Sequence, residues 1–488
     1  MFAQARVVTA ASLLTQVAGF CKTLLIAHLF GAAAALDGYY LALVIPSLLV
    51  GVIAGSLQAG FVTVYVKLLE ANDSRPAGYL VSQLTTLLLM FLGALCVILW
   101  LCAEPLMALL VLSDNVTLMA ATVAAFRVVV FILLLNSLAD YFALVLNSHR
   151  RFSLAALSPL ASVLLSTVIL AAWTDGGQNA LTYGLLAGVC AQIALLIGGL
   201  KHTGVRVGLA WPRLGGDLRE VLLLAISMIT GILLVNVNLA VDQVMATLLG
   251  EGAVSIIGYA NRFNGLVVQI LIVGVGTVLL PHLAQLLAAG RQKEIADIYL
   301  KLALPLTGAA IVAPIIIVLC SVPLLTTFLG HGALTQANIA QIAGIWFWYT
   351  IGLLPMAWGI FLARYFQATR NLAFITRLAA ISVAANIIFN LLLIGPLGLA
   401  GLAISTSLVY LVTGLLYHRR FARETIFKLG KRSAKLVGML AAITLFLFWA
   451  FPTAIHGGNW TLTLVGAALA IGIAYTTWPK ALMQQRQN

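Results

Sequence analysis

The sequence predicts an all-helical polytopic membrane protein with about 14 transmembrane helices. Three observations support this fold class: 62% of the 488 residues are hydrophobic, only 8% are charged, and apolar stretches recur along the whole chain. An ordinary soluble domain is about 45–50% apolar and about 25% charged, so the composition excludes a large water-soluble enzyme. It also excludes a disordered chain, which would combine low hydrophobicity with high charge.

The individual spans follow from windows of about 20 mostly apolar residues, the length that crosses a bilayer. Barrel strands would alternate in polarity, and these stretches do not. The first stretch continues past Lys22 to Phe30, which is too long for a signal peptide, so we expect a retained helix. The predicted spans centre near Leu13, Val50, Met90, Leu133, Val163, Cys190, Leu233, Ile270, Ile315, Tyr349, Val383, Val409, Ala442 and Val465.

The basic residues predict how these spans are oriented. Lys and Arg occur in alternate connections, whereas the intervening connections contain neither. By the positive-inside rule both termini are then cytoplasmic, and the net charge of +13 needs no nucleic-acid partner. The basic connections contain Lys67, Arg75, Arg150, Arg151, Lys201, Arg206, Arg213, Arg219, Arg291, Lys293, Arg370 and the run from Arg419 to Lys435; the others are 31–36, 104–117, 174–179, 250–252, 330–338, 396–399 and 452–459.

The chain also resembles itself at an offset of about 220 residues. Residues 29–31 with Gly38-Tyr39 match 248–250 with Gly258-Tyr259, and 147–152 match 367–372. An offset of six helices gives both halves the same orientation, and repeat-built transporters bind substrate between their halves. The predicted domains are an N-lobe of six helices (1–200), a cytoplasmic linker (201–220), a C-lobe of six helices (221–418), a basic cytoplasmic loop (419–435) and a final helix pair with the tail (436–488).

The motifs of membrane enzymes and ATP-driven pumps are absent from the sequence. It contains no GxxxxGK[ST], HExxH or GxSxG motif, so a transporter is favoured over an enzyme, and no cofactor is expected. The cysteines form no CxxC pair, and each lies in or beside an apolar stretch. We therefore expect neither disulfides nor a metal site.

Two basic residues lie inside predicted spans, where an ionisable side chain is costly and usually functional. Lys22 lies in span 1, where snorkelling to the interface is the alternative explanation. Arg262 lies in span 8 and follows the polar group Tyr259-Ala260-Asn261, which favours a polar lumen over lipid. Cations facing a shared cavity favour an anionic substrate such as a pyrophosphate, because Arg offers a two-pronged donor and Lys a point charge.

The acidic candidates are Asp37, Asp140 and Asp242. Asp37 begins span 2 near the outer surface, where capping a helix N-terminus is its structural alternative. Asp140 lies in span 4, and Asp242 follows Asn238 on one face of span 7. Asp140 and Asp242 could bind a coupling proton or cation, and structural ion pairing within the bundle is an equal alternative.

An ordered set of short segments resembles the MviN/MurJ family of lipid II flippases, within the superfamily of multidrug, oligosaccharidyl-lipid and polysaccharide exporters. The set extends over about four-fifths of the chain. Its segments are Gly19-Phe20, 29–32, Asp37, Ile45-Pro46, 146–148, Arg151-Phe152, 259–262, 276–281, 330–335, 396–403 and Thr406-Ser407.

The resemblance implies 14 helices, with a final pair that forms a groove for the polyprenyl tail. It implies alternating-access transport of the lipid-linked peptidoglycan precursor across the bacterial inner membrane, and hence a role in cell-wall biogenesis and cell shape. It places essential Arg positions on Lys22 and Arg262 and an Asp position on Asp37. The implied partners are the lipid-linked saccharide, membrane lipid and cell-wall or polysaccharide assembly proteins.

Three departures from the family pattern keep other functions open. An acidic position falls on Thr23, a further Arg position falls on Gln16, and the stretch 49–56 lacks the family's charges. The alternatives are a flippase for an exopolysaccharide or O-antigen-type repeat unit and a drug or cation antiporter of the same superfamily. Two other classes are a scaffold without transport and an intramembrane glycosyltransferase or ligase.

Overall fold

The computed structural model describes residues 2–70, 74–203, 208–213, 215–269, 274–369 and 371–424. These residues are helical throughout apart from short connections, and none of them forms a strand. The helices are α1 (Phe2–Phe30), α2 (Ala34–Glu70), α3 (Ser74–Leu101), α4 (Ala103–Ala108), α5 (Val116–Val129), α6 (Ile132–Ser148), α7 (Phe152–Ala172), α8 (Gln178–Lys201), α9 (Gly216–Ala246), α10 (Ala253–Val268), α11 (Gly274–Ala288), α12 (Gln292–Leu329), α13 (Gln336–Ile351), α14 (Leu353–Ala368) and α15 (Leu372–Glu424).

The predicted spans coincide with these helices. Of the first twelve predicted centres, eleven lie within a helix, and the remaining one, Ile270, lies outside the described residues. The predicted final helix pair and most of the basic loop also lie outside the described residues. Within the described residues, seven helices are long and apolar enough to cross a membrane, and up to nine spans result if two bent pairs each count as one. The fold is thus an all-helical, polytopic membrane architecture.

The longest helix, α15, contains two predicted spans and a break between them. Gly398 has non-helical angles, φ 55° and ψ −133°, in the connection predicted at 396–399. Pro396 precedes the break, and proline removes a helical hydrogen bond. Because a positive φ is easiest for glycine, these residues explain why the chain bends between the two spans here.

Two turns that the predicted repeat relates have the same closing hydrogen bond, although the repeat stays a prediction. At the end of α6 the Arg151 amide donates to the Leu146 carbonyl over 2.9 Å, and after α14 the Asn371 amide donates to the Phe366 carbonyl over 3.1 Å. Both are the six-residue closing bond of a helix C-terminus, and they lie 220 residues apart in sequence. The same offset therefore gives the same local backbone structure.

The chain forms two compact units, one made of Met1–Tyr259 and Leu325–Ile339, the other of the described residues of Ala260–Leu324 and Ala340–Asn488. These units divide at α10 because α9 packs against α2 in the first unit. The predicted domain boundaries follow the repeat instead of the packing, and they stay a prediction.

Each unit is built around a cluster of aromatic rings. In the first unit the Phe61 ring stacks on Tyr65 with 4.7 Å between centroids and meets Tyr141 edge-on at 5.2 Å. The buried Tyr141 hydroxyl donates to the Val81 carbonyl over 3.1 Å, which satisfies its polar group. In the second unit Phe421 lies 5.2 Å from Tyr299 and 4.8 Å from Tyr365 between ring centroids.

Glycines allow α2 and α9 to approach closely. A Cβ atom on Gly60 would lie 2.5 Å from the Val221 carbonyl oxygen, and one on Gly51 would lie 3.0 Å from the Asn236 side-chain oxygen. At the predicted cytoplasmic end, the Lys67 ammonium lies 3.1 Å from the Glu220 carboxylate. This ion pair is exposed and adds little stability. The close packing of α2 against α9 therefore depends on the glycines, which have no side chain.

We expect Gly60→Ala to destabilise the first unit by about 1–3 kcal/mol, because the added methyl group would force α2 and α9 apart. The measurement is the thermal unfolding midpoint of the purified protein in detergent. Gly78→Ala is the matched control, since a Cβ atom at Gly78 on α3 meets no atom within 4 Å. An equal midpoint for both variants would show that the α2–α9 contact is not tight.

Candidate functional site

Asp37 connects two turns at the predicted outer ends of the helices. It lies in the first turns of α2, and its side chain is 0% exposed. One carboxylate oxygen accepts from the Gly252 amide at 2.7 Å, and the other accepts from the Ser255 amide at 2.7 Å and the Ser255 hydroxyl at 2.5 Å. These amides begin α10, so a negative charge here satisfies helix N–H groups and complements the helix dipole.

A second carboxylate completes the arrangement from the opposite direction. Glu251, in the turn before α10, accepts from the Ala34 amide at the start of α2 over 3.0 Å. The Tyr259 hydroxyl on α10 donates to the Gly31 carbonyl over 2.8 Å. The turn before α2 and the turn before α10 are equivalent in the predicted repeat. Glu251, beside the second turn, caps α2, and Asp37, beside the first turn, caps α10. We call Asp37, Glu251, Ser255 and Tyr259 the outer latch.

Two glycines with positive φ bring the backbones of the outer turns together. Gly31 has φ +59°, and a Cβ atom there would lie 2.6 Å from the Ala333 carbonyl oxygen. Gly252 has φ +83°, and its Cβ atom would lie 2.6 Å from the Ala32 carbonyl oxygen. The Ala333 amide donates to the His28 carbonyl over 3.0 Å. Side chains would therefore separate turns that the latch holds together.

The structural alternative for Asp37, capping a helix N-terminus, applies to a different helix from the expected span 2. Helix α2 begins at Ala34, and the Asp37 carboxylate caps α10. The predicted role of Asp37 in substrate binding stays a prediction. Glu251 and Ser255 were not predicted as site residues. Tyr259 is part of the predicted repeat, in which Gly258-Tyr259 matches Gly38-Tyr39. That match was the available signal that the turns before α2 and α10 are related.

Lys22 lies on α1 and contacts α7. Its ammonium donates to the Ser166 hydroxyl over 2.8 Å, and Ser166 donates its own proton to the Val163 carbonyl over 2.9 Å. The hydroxyl is therefore oriented as an acceptor for the ammonium. Lys22 is only partly buried, so an ammonium with three donors can also bind a further anion.

Asp242 and Asn238 lie one helical turn apart on α9, as the predicted polar face requires. Asp242 is buried at 3% exposure, and Asn238 is half-buried. Asp140 lies on α6, half-buried, one turn after the half-buried Asn136. Within the described part of the chain, no hydrogen-bond or ion-pair partner for the Asp140 carboxylate is found.

The residues predicted in span 8 belong to the second unit. Arg262 is half-buried on α10, and the neighbouring Asn261 amide donates to the Tyr349 hydroxyl over 3.4 Å. Phe263 packs on Trp346 with 5.2 Å between ring centroids. Asn261 thus contacts α13, and Arg262 is a cation on the same partly polar helix.

The stretch 49–56, where the family pattern would place charges, packs against α9. A Cβ atom on Gly51 would meet Asn236, and one on Gly55 would lie 3.0 Å from Ile232. The buried Ser56 lies in the same stretch. A side chain at Gly51 or Gly55 would therefore meet α9 closely.

The helical fold, the paired outer turns and the cations within spans define a polytopic transporter built from two related halves. A family model described as "Lipid II flippase MurJ" matches residues 26–467. The chain is 29% identical over 482 residues to "Probable lipid II flippase MurJ" of Rhizobium tropici, covering 93% of this chain and 89% of the relative. It is 25% identical to "Lipid II flippase MurJ" of Burkholderia cenocepacia, covering 86% and 83%.

Solved structures share the fold. "Lipid II flippase MurJ, inward closed conformation" superposes with a TM-score of 0.77 at 18% identity, covering 98% of this chain and 99% of that chain. An inward-facing multidrug resistance MATE family transporter of the MOP superfamily gives a TM-score of 0.72 at 13% identity, covering 86% and 98%. The chain belongs to the MurJ family of lipid II flippases. The predicted family is confirmed.

We expect Asp37→Asn to loosen the start of α10, because an amide offers one acceptor oxygen where the carboxylate offers two. Loss of one charge-assisted hydrogen bond costs about 1.5–3 kcal/mol, which corresponds to about ten- to hundred-fold faster hydrogen exchange at the amides of residues 252–255. Exchange mass spectrometry on the purified protein measures it. Asp114→Asn, at an exposed carboxylate in the α4–α5 connection, is the control; equal exchange in both variants would contradict the latch.

Proposed function

We propose that this chain moves lipid II, an undecaprenyl-pyrophosphate-linked saccharide, from the cytoplasmic to the periplasmic leaflet by alternating access. The MurJ family is a family of transporters, and this member is a multi-pass protein of the bacterial inner membrane. The proposal adds the orientation with both termini cytoplasmic, which is supported by the distribution of Lys and Arg.

The observation that carries the mechanism is the outer latch. A buried carboxylate is tolerated only while donors surround it, and Asp37 has three donors from the start of α10. Water can replace those donors when the turns separate, so the same residues permit a closed and an open outer end. We assign the latch to the closed state of the periplasmic side, and Asp37 acts on the substrate pathway through this closure.

Lys22 and Arg262 supply the charge that recognises the pyrophosphate. Lys22 is held by Ser166 yet remains partly exposed, and Arg262 offers a planar donor pair for phosphate oxygens. The polyprenyl tail stays in lipid while the head group crosses. Asn261, which contacts Tyr349, supports Arg262 on the same helix.

Asp140 is the stronger candidate for a coupling group. A half-buried carboxylate within a span can take up a proton or a cation during the cycle. Asp242 is more deeply buried, and with Asn238 it forms a polar face on α9. Assembly proteins of the cell wall are proposed partners on the basis of the function alone.

A second candidate substrate is the lipid-linked repeat unit of an exopolysaccharide. The uncharged stretch 49–56 and a Lys at the span-1 position favour it, because fewer cations suit a head group with less negative charge. The two substrates share the undecaprenyl-pyrophosphate part, so Lys22 and Arg262 serve either. An antiporter for cationic drugs is disfavoured by the same two cations.

The deciding experiment is complementation of a strain depleted of its own lipid II flippase. We expect the full chain to restore growth, because the family and the cations fit a peptidoglycan precursor. Membrane fractionation confirms insertion. Absence of rescue with inserted protein would assign the chain to the exopolysaccharide substrate, and restored drug resistance without restored growth would assign it to the antiporter class.

In the rescued strain we expect Arg262→Ala to reduce flipping about ten- to hundred-fold, because a charged hydrogen-bond donor is worth about 1.5–3 kcal/mol. Flipping is measured as the fraction of lipid II that becomes accessible in the outer leaflet. Arg127→Ala is the matched control, since Arg127 forms an exposed ion pair with Glu104 at 2.9 Å. If Arg262→Ala keeps full flipping, the arginine has no role in binding; if it loses growth but keeps flipping, the chain acts as a scaffold.

A further inference from the structure

The connection between α8 and α9 contains a short segment, residues 208–213, that lies against α3. The Gly208 amide donates to the Ser82 hydroxyl over 3.3 Å, and the Ala210 amide donates to the Thr86 hydroxyl over 3.0 Å. The Gln83 amide donates to the Trp211 carbonyl over 3.3 Å. We call residues 208–213 the strap.

The hydroxyl groups on α3 are arranged to accept these bonds. Ser82 donates its proton to the Gly78 carbonyl over 3.0 Å, and Thr86 donates to the Ser82 carbonyl over 2.9 Å. Their lone pairs are therefore directed to other donors. The two residues are one helical turn, about 6 Å, apart, which matches the reach of two residues of chain, about 7 Å. The polar side chains of this span thus form a seat for the strap backbone.

The strap lies at the depth of a membrane interface. α3 has 28 residues, or about 42 Å at 1.5 Å per residue, whereas the hydrocarbon core is about 30 Å thick. Counting about 20 residues back from Leu101, at the predicted outer end, reaches Ser82. The strap is therefore placed where hydrocarbon meets the head groups on the predicted cytoplasmic side.

The strap presents apolar side chains to its surroundings. Leu209 is 76% exposed and Trp211 is 73% exposed, although both are large hydrophobic residues. Tryptophan is enriched at membrane interfaces because its ring is apolar and its N–H is polar. Arg213 at the end of the strap and Lys201 and Arg219 on the flanking helices are exposed, and such basic side chains are attracted to an anionic leaflet.

We propose that the strap is a membrane-interface anchor, which α3 holds by its backbone and which inserts Leu209 and Trp211 into the lipid of the cytoplasmic leaflet. The interaction partner is the lipid interface with its anionic head groups. The anchor fixes the connection between the two related halves at one depth while the helices on either side of it move. It is independent of the cargo and of the outer latch.

The test measures the depth of residue 211 in the full chain. Trp211→Cys is made in a background with the five native cysteines replaced by alanine, labelled with a fluorophore and reconstituted in vesicles of phosphatidylethanolamine and phosphatidylglycerol. We expect nitroxide attached to lipid to quench this label several-fold more strongly than aqueous iodide does. Arg213→Cys in the same segment is the control, and we expect iodide to quench its label more strongly.

Two results would overturn the anchor. Efficient quenching at 211 by iodide would place the segment in water, and protection from both quenchers would show that protein covers it. The seat is tested by adding Ser82→Ala and Thr86→Val, which remove the two hydroxyl acceptors of the strap. We expect lipid quenching at residue 211 to fall several-fold. Thr85→Val is the matched control, since the Thr85 hydroxyl donates to the Val81 carbonyl at 2.8 Å and makes no hydrogen bond to the described residues of the strap. Unchanged quenching with the double variant would show that α3 does not hold the strap.

Discussion

The buried Asp37 carboxylate determines how the outer ends of the helices meet. A charge with 0% exposure must be surrounded by donors, because an unpaired buried charge costs several kcal/mol. The donors come from the first turn of α10, whose N–H groups lack partners within their own helix. The carboxylate and the helix terminus satisfy each other, and neither could be buried alone.

This requirement extends to the residues around it. The turn before α10 must approach the turn before α2 closely, and Gly252 with φ +83° makes that approach possible. Glu251 then reaches the Ala34 amide, and Tyr259 reaches the Gly31 carbonyl. Glycines, carboxylates and the tyrosine form one constraint, since moving any of these turns removes partners from several buried groups.

The energies are suited to a reversible closure. Hydrogen bonds to a charged group contribute about 1.5–3 kcal/mol each, but water replaces the lost donors when the turns separate. The net difference between closed and open states is therefore small. The membrane potential supplies about 2.3 kcal/mol per elementary charge per 100 mV, a comparable amount.

The helical architecture could be predicted from hydropathy and charge because both depend on local sequence. The break at Gly398 lies in the connection predicted at 396–399 between two apolar stretches. The partner of Asp37 was not predictable, since the bond to Ser255 joins residues 218 positions apart. The repeat related the two turns but could not show that they exchange caps. The Lys22–Ser166 contact joins residues 144 positions apart and could not be predicted for the same reason.

Polar residues inside spans need not serve a substrate, and α3 shows how the two cases differ. Ser82 and Thr86 have neutral hydroxyls that donate to their own helix and accept from a nearby backbone, so structure accounts for them. Lys22 differs because its side chain carries a charge within a span and is only partly buried. A cation placed in this way fits the proposed contact with the pyrophosphate.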